Sequence, residues 1–338
     1  VLATALFQAA RANRGKVYLL YCDIAKFFPA IDRSVLSVAE AWHGLPIEVR
    51  KLSAALFGEM SGAFDSAHGL GDEFDIYMGA LMGCVLSPDR AKILLNTVMV
   101  AIRLHSRGVT LEGCGSRTVC SVCYCDDWLG VHETEADLRD TWAIWCTWSL
   151  VSGCGMGVVG CTKTCYVAAQ WRGSKLVEAE MEAPLLAPNG LELPRMACSH
   201  AYKHLGFPRT ADGSGDAVRV YVRKLVVGFV ARLRVLRNVR AEEFVAASNA
   251  VMQGVGGYYG SAVWMSWEVA DGIEGVWREE FRRRYGGARS TPRLFYYVGL
   301  DGATGRGLRR EHLHVVMSAA AYEGVARAMC DPHDGDAR

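Results

Sequence analysis

Asp126 and Asp127 stand side by side between two apolar runs, residues 118–124 and 128–132. Adjacent carboxylates with apolar flanks repel each other in a lowered dielectric, so the pair makes chemical sense when a divalent cation shares it. Hard cations such as Mg²⁺ take carboxylate oxygens and leave positions open for phosphates. For an isolated Asp-Asp pair a polar turn is the better reading, because Asp is a common turn residue. Two further segments favour chemistry. Asp23 ends the apolar run Val17-Tyr18-Leu19-Leu20-Tyr21-Cys22 and is followed by Lys26-Phe27-Phe28. Gly83-Cys84-Val85-Leu86-Ser87-Pro88 is a glycine turn opening a helix. A strand-end acid, a glycine turn before a helix and a pair of hairpin acids occur in that order. A βαββ core can bring Asp23 and Asp126 onto neighbouring strands, as two-metal nucleotidyl transfer requires.

Other residues point to less. The run 217–240 holds Arg219, Arg223, Lys224, Arg232, Arg234, Arg237 and Arg240 and no acid. A charge run is usually a solvated face, but phosphate tracking is the other use of one. Arg282-Arg283-Arg284 lies beside Glu279 and Glu280, which weakens the same argument there. His312 and His314 have no carboxylate or cysteine partner at useful spacing and read as structural. The 12 cysteines form no repeating framework, and a chain of 338 residues needs no disulfides, so reduced thiols are expected. Cys120-x-x-Cys123 and Cys161-x-x-x-Cys165 lack a spaced second pair, which disfavours zinc.

The elements that must position these groups are readable from periodicity. Residues 1–14 fit a helix, 16–24 a buried strand, and Asp32 or Ser34 can cap a helix to about Trp42. Helices are expected over 47–60, 89–105 and 133–152, with a loop at 62–71, a hairpin around Cys125-Asp126-Asp127, a break at 153–160 and a strand at 165–169. Helical spacing returns at 217–240, 241–255 and 267–285, and 331–338 is expected to fray. The composition, 51% hydrophobic and 22% charged, is that of a globular chain with two or three subdomains. The formal net charge of +1 does not itself announce a nucleic-acid partner. No secretory signal or membrane span is expected, and a start at Val1 suggests missing upstream sequence.

Five segments, in order from Asp23 to Phe207, resemble the reverse-transcriptase domain of non-LTR retrotransposons and, more distantly, group II intron proteins. Tyr21-Cys22-Asp23-Ile24-Ala25-Lys26-Phe27-Phe28-Pro29-Ala30-Ile31 resembles the first catalytic motif. Met82-Gly83-Cys84-Val85-Leu86-Ser87-Pro88, leading to Leu94-Leu95-Asn96, resembles the second. Tyr124-Cys125-Asp126-Asp127 is similar to the Tyr-x-Asp-Asp box. Gly160-Cys161-Thr162-Lys163-Thr164 is similar to the fourth motif, and Tyr202-Lys203-His204-Leu205-Gly206-Phe207 to the primer-grip hairpin.

The resemblance implies an α+β fold: a right-hand polymerase palm, an antiparallel sheet with packed helices, plus a helical thumb, with the fingers largely missing. It divides the chain into a fingers remnant (1–16), palm (17–208), thumb (209–290) and C-terminal extension (291–338). It implies that Asp23 and Asp126 hold two Mg²⁺ ions (Mn²⁺ being the alternative), with Asp127 a less direct ligand and the Ile24 carbonyl completing one shell. Lys163 would donate a proton to pyrophosphate or neutralise it; an exposed loop lysine is the plainer alternative. Phe28, five residues after Asp23, would exclude a ribose 2′-hydroxyl, with Phe27 or Phe28 a core aromatic instead. Met82 and Gly83 would line the dNTP and template pocket, Gly83 allowing close backbone approach. Tyr202, His204, Leu205 and Gly206 would place the primer end, and Arg219, Arg223 and Lys224 would track the template-primer backbone.

The implied partners are an RNA template, a DNA primer and dNTPs, with no membrane, in the nucleus; no protein partner is implied. Two positions depart from the family: Met82 where Gln is usual and Pro29 where Asp is frequent. Only 22 residues precede Asp23, too few for a fingers region, so poor polymerisation by this chain alone is expected. A non-catalytic nucleic-acid-binding descendant is the alternative from another class. An RNA-dependent RNA polymerase fits less well, because it carries an acid near the position of Phe28 and a Ser-Gly in the second motif.

Overall fold

The apolar run that ends at Asp23 is the middle strand of the main sheet. In the computed structural model, which describes residues 2–58, 60–80, 84–111, 117–156, 163–236, 238–260, 263–286, 313 and 315–320, the chain divides into two units, 2–200 and 201–338. The first unit contains, in chain order, α1 (Leu2–Asn13), β1 (Lys16–Asp23), α2 (Phe27–Ala30), α3 (Arg33–Trp42) and α4 (Ile47–Gly58). Four two-residue strands follow: β2 (Ser61–Gly62), β3 (Asp65–Ser66), β4 (Gly69–Leu70) and β5 (Phe74–Asp75). Then come α5 (Ser87–His105), β6 (Val109–Leu111), β7 (Arg117–Val119), β8 (Ser121–Tyr124), β9 (Asp127–His132), α6 (Glu135–Ser152), β10 (Cys165–Arg172) and β11 (Lys175–Glu178).

The main sheet has the order β11-β10-β1-β9-β8, every pairing antiparallel. All residues of β1 after Lys16 are buried, which is why its sequence is a continuous apolar run rather than an alternation. The fold is therefore mixed α+β on an antiparallel sheet. Trp128 of β9 meets Trp145 of α6 edge-on at 5.3 Å, and Trp145 meets Trp148 at 5.4 Å, so α6 seals one face of the sheet. Gly130 lies between Trp128 and His132 on β9, and a Cβ there would collide with both rings.

Local signals hold the helices. Asp32, rather than Ser34, caps α3, accepting from the Ser34 N–H at 2.7 Å and the Val35 N–H at 3.3 Å. Thr134 caps α6, and Pro88 and Asp89 occupy the first turn of α5. A buried ion pair, Arg90 to Glu40 at 2.7 Å, ties α5 to α3, with the Arg90 guanidinium over the Phe57 ring. The segment expected to be a plain loop, 62–71, holds the short ladder β3–β4 and is bracketed by the ladder β2–β5. Arg33 anchors the two ends of that excursion, donating to the carbonyls of Phe57, Met78 and Gly79.

The second unit contains β12 (Tyr202–His204), β13 (Phe207–Arg209), α7 (Asp216–Val235), α8 (Ala241–Gly260) and α9 (Trp267–Tyr285). Val218, Val222 and Val226 of α7 pack with Met252 of α8, Ile273 of α9 and Met317, the 3.6-residue stripe that the sequence shows. Gly260 permits the backbone of Met317 to approach α8 where a Cβ would not fit. The hairpin β12–β13 groups with these helices. Helix α8 runs five residues past the expected end at 255.

Candidate active site

Antiparallel register places Asp23 directly opposite Asp127. Asp23 is the last residue of β1, Asp127 the first of β9, and they are paired across the ladder. Tyr124 of β8 pairs with Asp127, which leaves Cys125 and Asp126 as the two-residue hairpin tip. Cys125 turns the chain with φ of 52°, a left-handed conformation uncommon for a side chain of this kind. The sequence reading expected Asp23 and Asp126 on neighbouring strands. The cross-strand partner is Asp127, and Asp126 extends from the turn beside it.

Burial pushes the Asp126 carboxyl above its ordinary range, and repulsion from Asp23 and Asp127 adds to the shift. A hydrogen bond from its own backbone N–H and the charge of Lys163 act the other way. Three carboxylates therefore sense one another at the end of β1. The donors are the hard oxygens that Mg²⁺ or Mn²⁺ prefers. Among the described residues no three His, Cys, Asp or Glu side chains already converge at metal-ligand spacing. The fit to a divalent cation rests on the donor chemistry of these three carboxylates and on their mutual repulsion.

One oxygen of Asp23 is held by Lys163, whose Nζ lies 3.0 Å from Oδ1. The next residue, Thr164, is fully buried, and its hydroxyl accepts from the Asp23 N–H at 3.1 Å and donates to the Asp23 carbonyl at 3.3 Å. Sequence reasoning named Thr164 only as part of a motif and gave it no task. Its signal is the Lys163-Thr164 order itself, which puts one side chain out and the next one in. Ile24 forms an antiparallel bridge with Met156, and Ala25 N–H donates to the Gly155 carbonyl, so the chain beyond Asp23 is also pinned.

Of the two candidate aromatics, Phe27 is buried and Phe28 is half-buried against the same core. The Phe28 carbonyl accepts from Ala80 N–H at 2.8 Å, which brings the strand-end segment beside the chain leading to the second motif. Met82, Gly83 and residues 160–162 lie outside the described residues, as do Arg237, His312, His314 and 331–338. Cys22, Cys123 and Cys146 are core thiols whose pKa burial raises, to about 12 for Cys123 and about 11 for Cys146. Among the described residues no cysteine group forms a metal site.

In the second unit, Leu205 and Gly206 form the tip of the β12–β13 hairpin, both with positive φ, as in a type I′ turn. Tyr258 donates to the Leu205 carbonyl, Tyr259 to the Gly206 carbonyl, and the Phe207 ring stacks on Tyr258 at 4.7 Å. Tyr202 and His204 are buried and Lys203 is exposed, the alternation expected of a strand. Of the four residues named for the primer end, the tip residues Leu205 and Gly206 are thus the more accessible pair, and Lys203 joins them.

The basic residues of α7 and of the segment after it fall into two groups. Arg219 pairs with Asp216, Arg234 with Glu280, and Arg240 with Glu243. The absence of acids within 217–240 is thus offset by acids just outside it in sequence or across the unit. Arg223, Lys224 and Arg232 are exposed and form no ion pair among the described residues. Arg283 and Arg284 both bind the buried carboxylate of Glu280, which removes them from the set of free cations.

No family model matches the chain, and no curated protein matches its sequence. Solved structures give distant likenesses. The chain is similar to an apo telomerase from Candida tropicalis truncated from the C-terminal domain, at 12% identity and TM-score 0.42, over 63% of this chain and 37% of that one. A telomerase from Candida albicans bound to a fragment of telomeric RNA gives 12% and 0.39, over 83% and 47%. A second apo telomerase structure from Candida tropicalis gives 10% and 0.41, over 83% and 49%. The chain spans less than half the length of each of these structures. Among the described residues no helix is long and apolar enough to cross a membrane.

Proposed function

We propose that this chain carries the palm and thumb of an RNA-directed DNA polymerase of a retroelement, adding dNTPs to a primer 3′-hydroxyl. The observation that carries this is the placement of Asp23 opposite Asp127 with Asp126 in the adjoining turn. Mg²⁺ or Mn²⁺, when bound, would supply the positive charge that acidifies the primer hydroxyl and balances the triphosphate.

The chain's own residues supply the positioning. Asp23 and Asp126 would hold the cations, Asp127 and the Ile24 carbonyl would support them, and Thr164 fixes the backbone from which Asp23 extends. Lys163, 63% exposed on a fixed neighbour, can leave Asp23 and place its ammonium, and a proton, at the departing pyrophosphate. Phe28 presents a half-buried ring beside the strand end, suited to exclude a 2′-hydroxyl. Met82 and Gly83 belong to the nucleotide pocket of this reading. In the second unit, Leu205 and Gly206 present a tyrosine-braced turn to the primer, and Arg223 and Lys224 contact backbone phosphates without sequence preference.

Primer extension on poly(rA)/oligo(dT) with Mg²⁺ and dTTP tests the proposal. Extension lost on Asp126→Ala supports it. One departure, Met82 in place of the family's Gln, favours a second reading: a nucleic-acid-binding protein without catalysis. Tight binding of the same duplex with no extension by wild type would select that reading.

A further inference from the structure

We propose that Lys163 is a resident counter-ion on Asp23 that couples loading of a divalent cation to the arrival of a triphosphate. This rests on the polymerase reading and adds a control step to it. The geometry makes the two partners unequal. Asp23 has a side chain 12% exposed, and its N–H and carbonyl are both bonded to the Thr164 hydroxyl. Lys163 is 63% exposed on a long flexible stem. The aspartate is therefore the fixed member and the lysine the one that leaves.

An ammonium 3.0 Å from Oδ1 and a divalent cation on the same carboxylate repel each other. A cation that takes Oδ1 displaces the ammonium into water. A triphosphate offers the ammonium another set of anionic oxygens, so whatever binds the triphosphate also vacates Asp23. Linkage then makes the effect reciprocal: the triphosphate raises affinity for the cation, and the cation raises affinity for the triphosphate. A second lysine provides an internal control. Lys92 senses Tyr124 and Cys125 at the hairpin tip, yet its ammonium is bonded to Asp89 at 3.1 Å rather than to Asp23.

The test is Mn²⁺ binding to the whole chain without nucleotide, read as loss of the free-ion electron paramagnetic resonance signal. Circular dichroism confirms that each variant is folded. Lys163→Met is expected to bind Mn²⁺ about two- to fivefold more tightly than wild type, the range for losing one partly exposed ion pair. Lys163→Arg and Lys92→Met are expected to stay near wild type. Unchanged or weaker binding by Lys163→Met, or equal tightening by Lys92→Met, overturns the proposal while leaving the metal site standing. Binding by neither wild type nor Lys163→Met above the Asp126→Asn background overturns both the proposal and the polymerase reading.

Discussion

Thr164 grips Asp23 by its backbone: one buried hydroxyl accepts from the Asp23 N–H at 3.1 Å and donates to its carbonyl at 3.3 Å. Replacing Thr164 by Val keeps the shape and leaves both Asp23 groups unpaired in a buried setting. The expected cost is about 1–3 kcal/mol of stability, by urea denaturation. Extension rate should fall more than template-primer affinity, and Thr164→Ser should recover most of both. Equal rate constants for Thr164→Val and wild type would remove the positioning role.

His132 sets an acid limit on the first unit. Burial holds its pKa down to about 4, against an ordinary 6.5. The folded state thus favours the neutral ring, and stability is lost as pH falls from about 6.5 toward 4. The span corresponds to roughly 3 kcal/mol. His132→Asn should flatten the pH dependence of unfolding in that window; an unchanged slope would contradict the assignment.

Glu280 makes a different acid limit in the second unit. Its buried carboxylate binds Arg283 and Arg284 of its own helix and Arg234 of α7, which lower its pKa from 4.5 to about 2. A depressed carboxyl stabilises above pH 4.5 and loses that contribution as pH falls through about 2. Glu280→Gln should cost about 2–3 kcal/mol at pH 7 and progressively less below pH 4.5, by thermal unfolding. A pH-independent cost would mean that packing, not charge, is lost.

Much of this site is legible in the sequence because strand burial and turn chemistry are local. The run 17–22 shows β1, and Asp23 follows it. The Cys125-Asp126 turn sits between two apolar runs. Register is not local: nothing in the spacing says that Asp127, and not Asp126, faces Asp23. Lys163 and Thr164 are 140 and 141 residues from Asp23, so their bonds to it depend on how β10 meets β1. In the hairpin at 202–209, the strand period of two buries Tyr202 and His204 and exposes Lys203, an alternation that three residues are too short to show in the sequence. The basic run on α7 was read without the acids that tertiary structure brings to it, Glu280 above all.

The exposed basic residues of α7 differ from the paired ones in a measurable way. Arg223→Gln and Lys224→Gln should each weaken template-primer binding at all sequences and reduce the salt slope by about one. Arg219→Gln, already paired with Asp216, should have a smaller effect on that slope. Fluorescence anisotropy between 50 and 200 mM salt, the range in which phosphate contacts are separable, resolves the two groups. Equal slopes for all three variants would contradict the division.

The acid cluster is tested most directly by single-nucleotide primer extension, comparing wild type, Asp126→Ala and Asp23→Asn on poly(rA)/oligo(dT) with Mg²⁺. The predicted result is dTTP addition by wild type and a loss of about a thousandfold or more in both variants, with duplex binding retained. Extension by Asp126→Ala at the wild-type rate contradicts the assignment of this hairpin as a catalytic metal site.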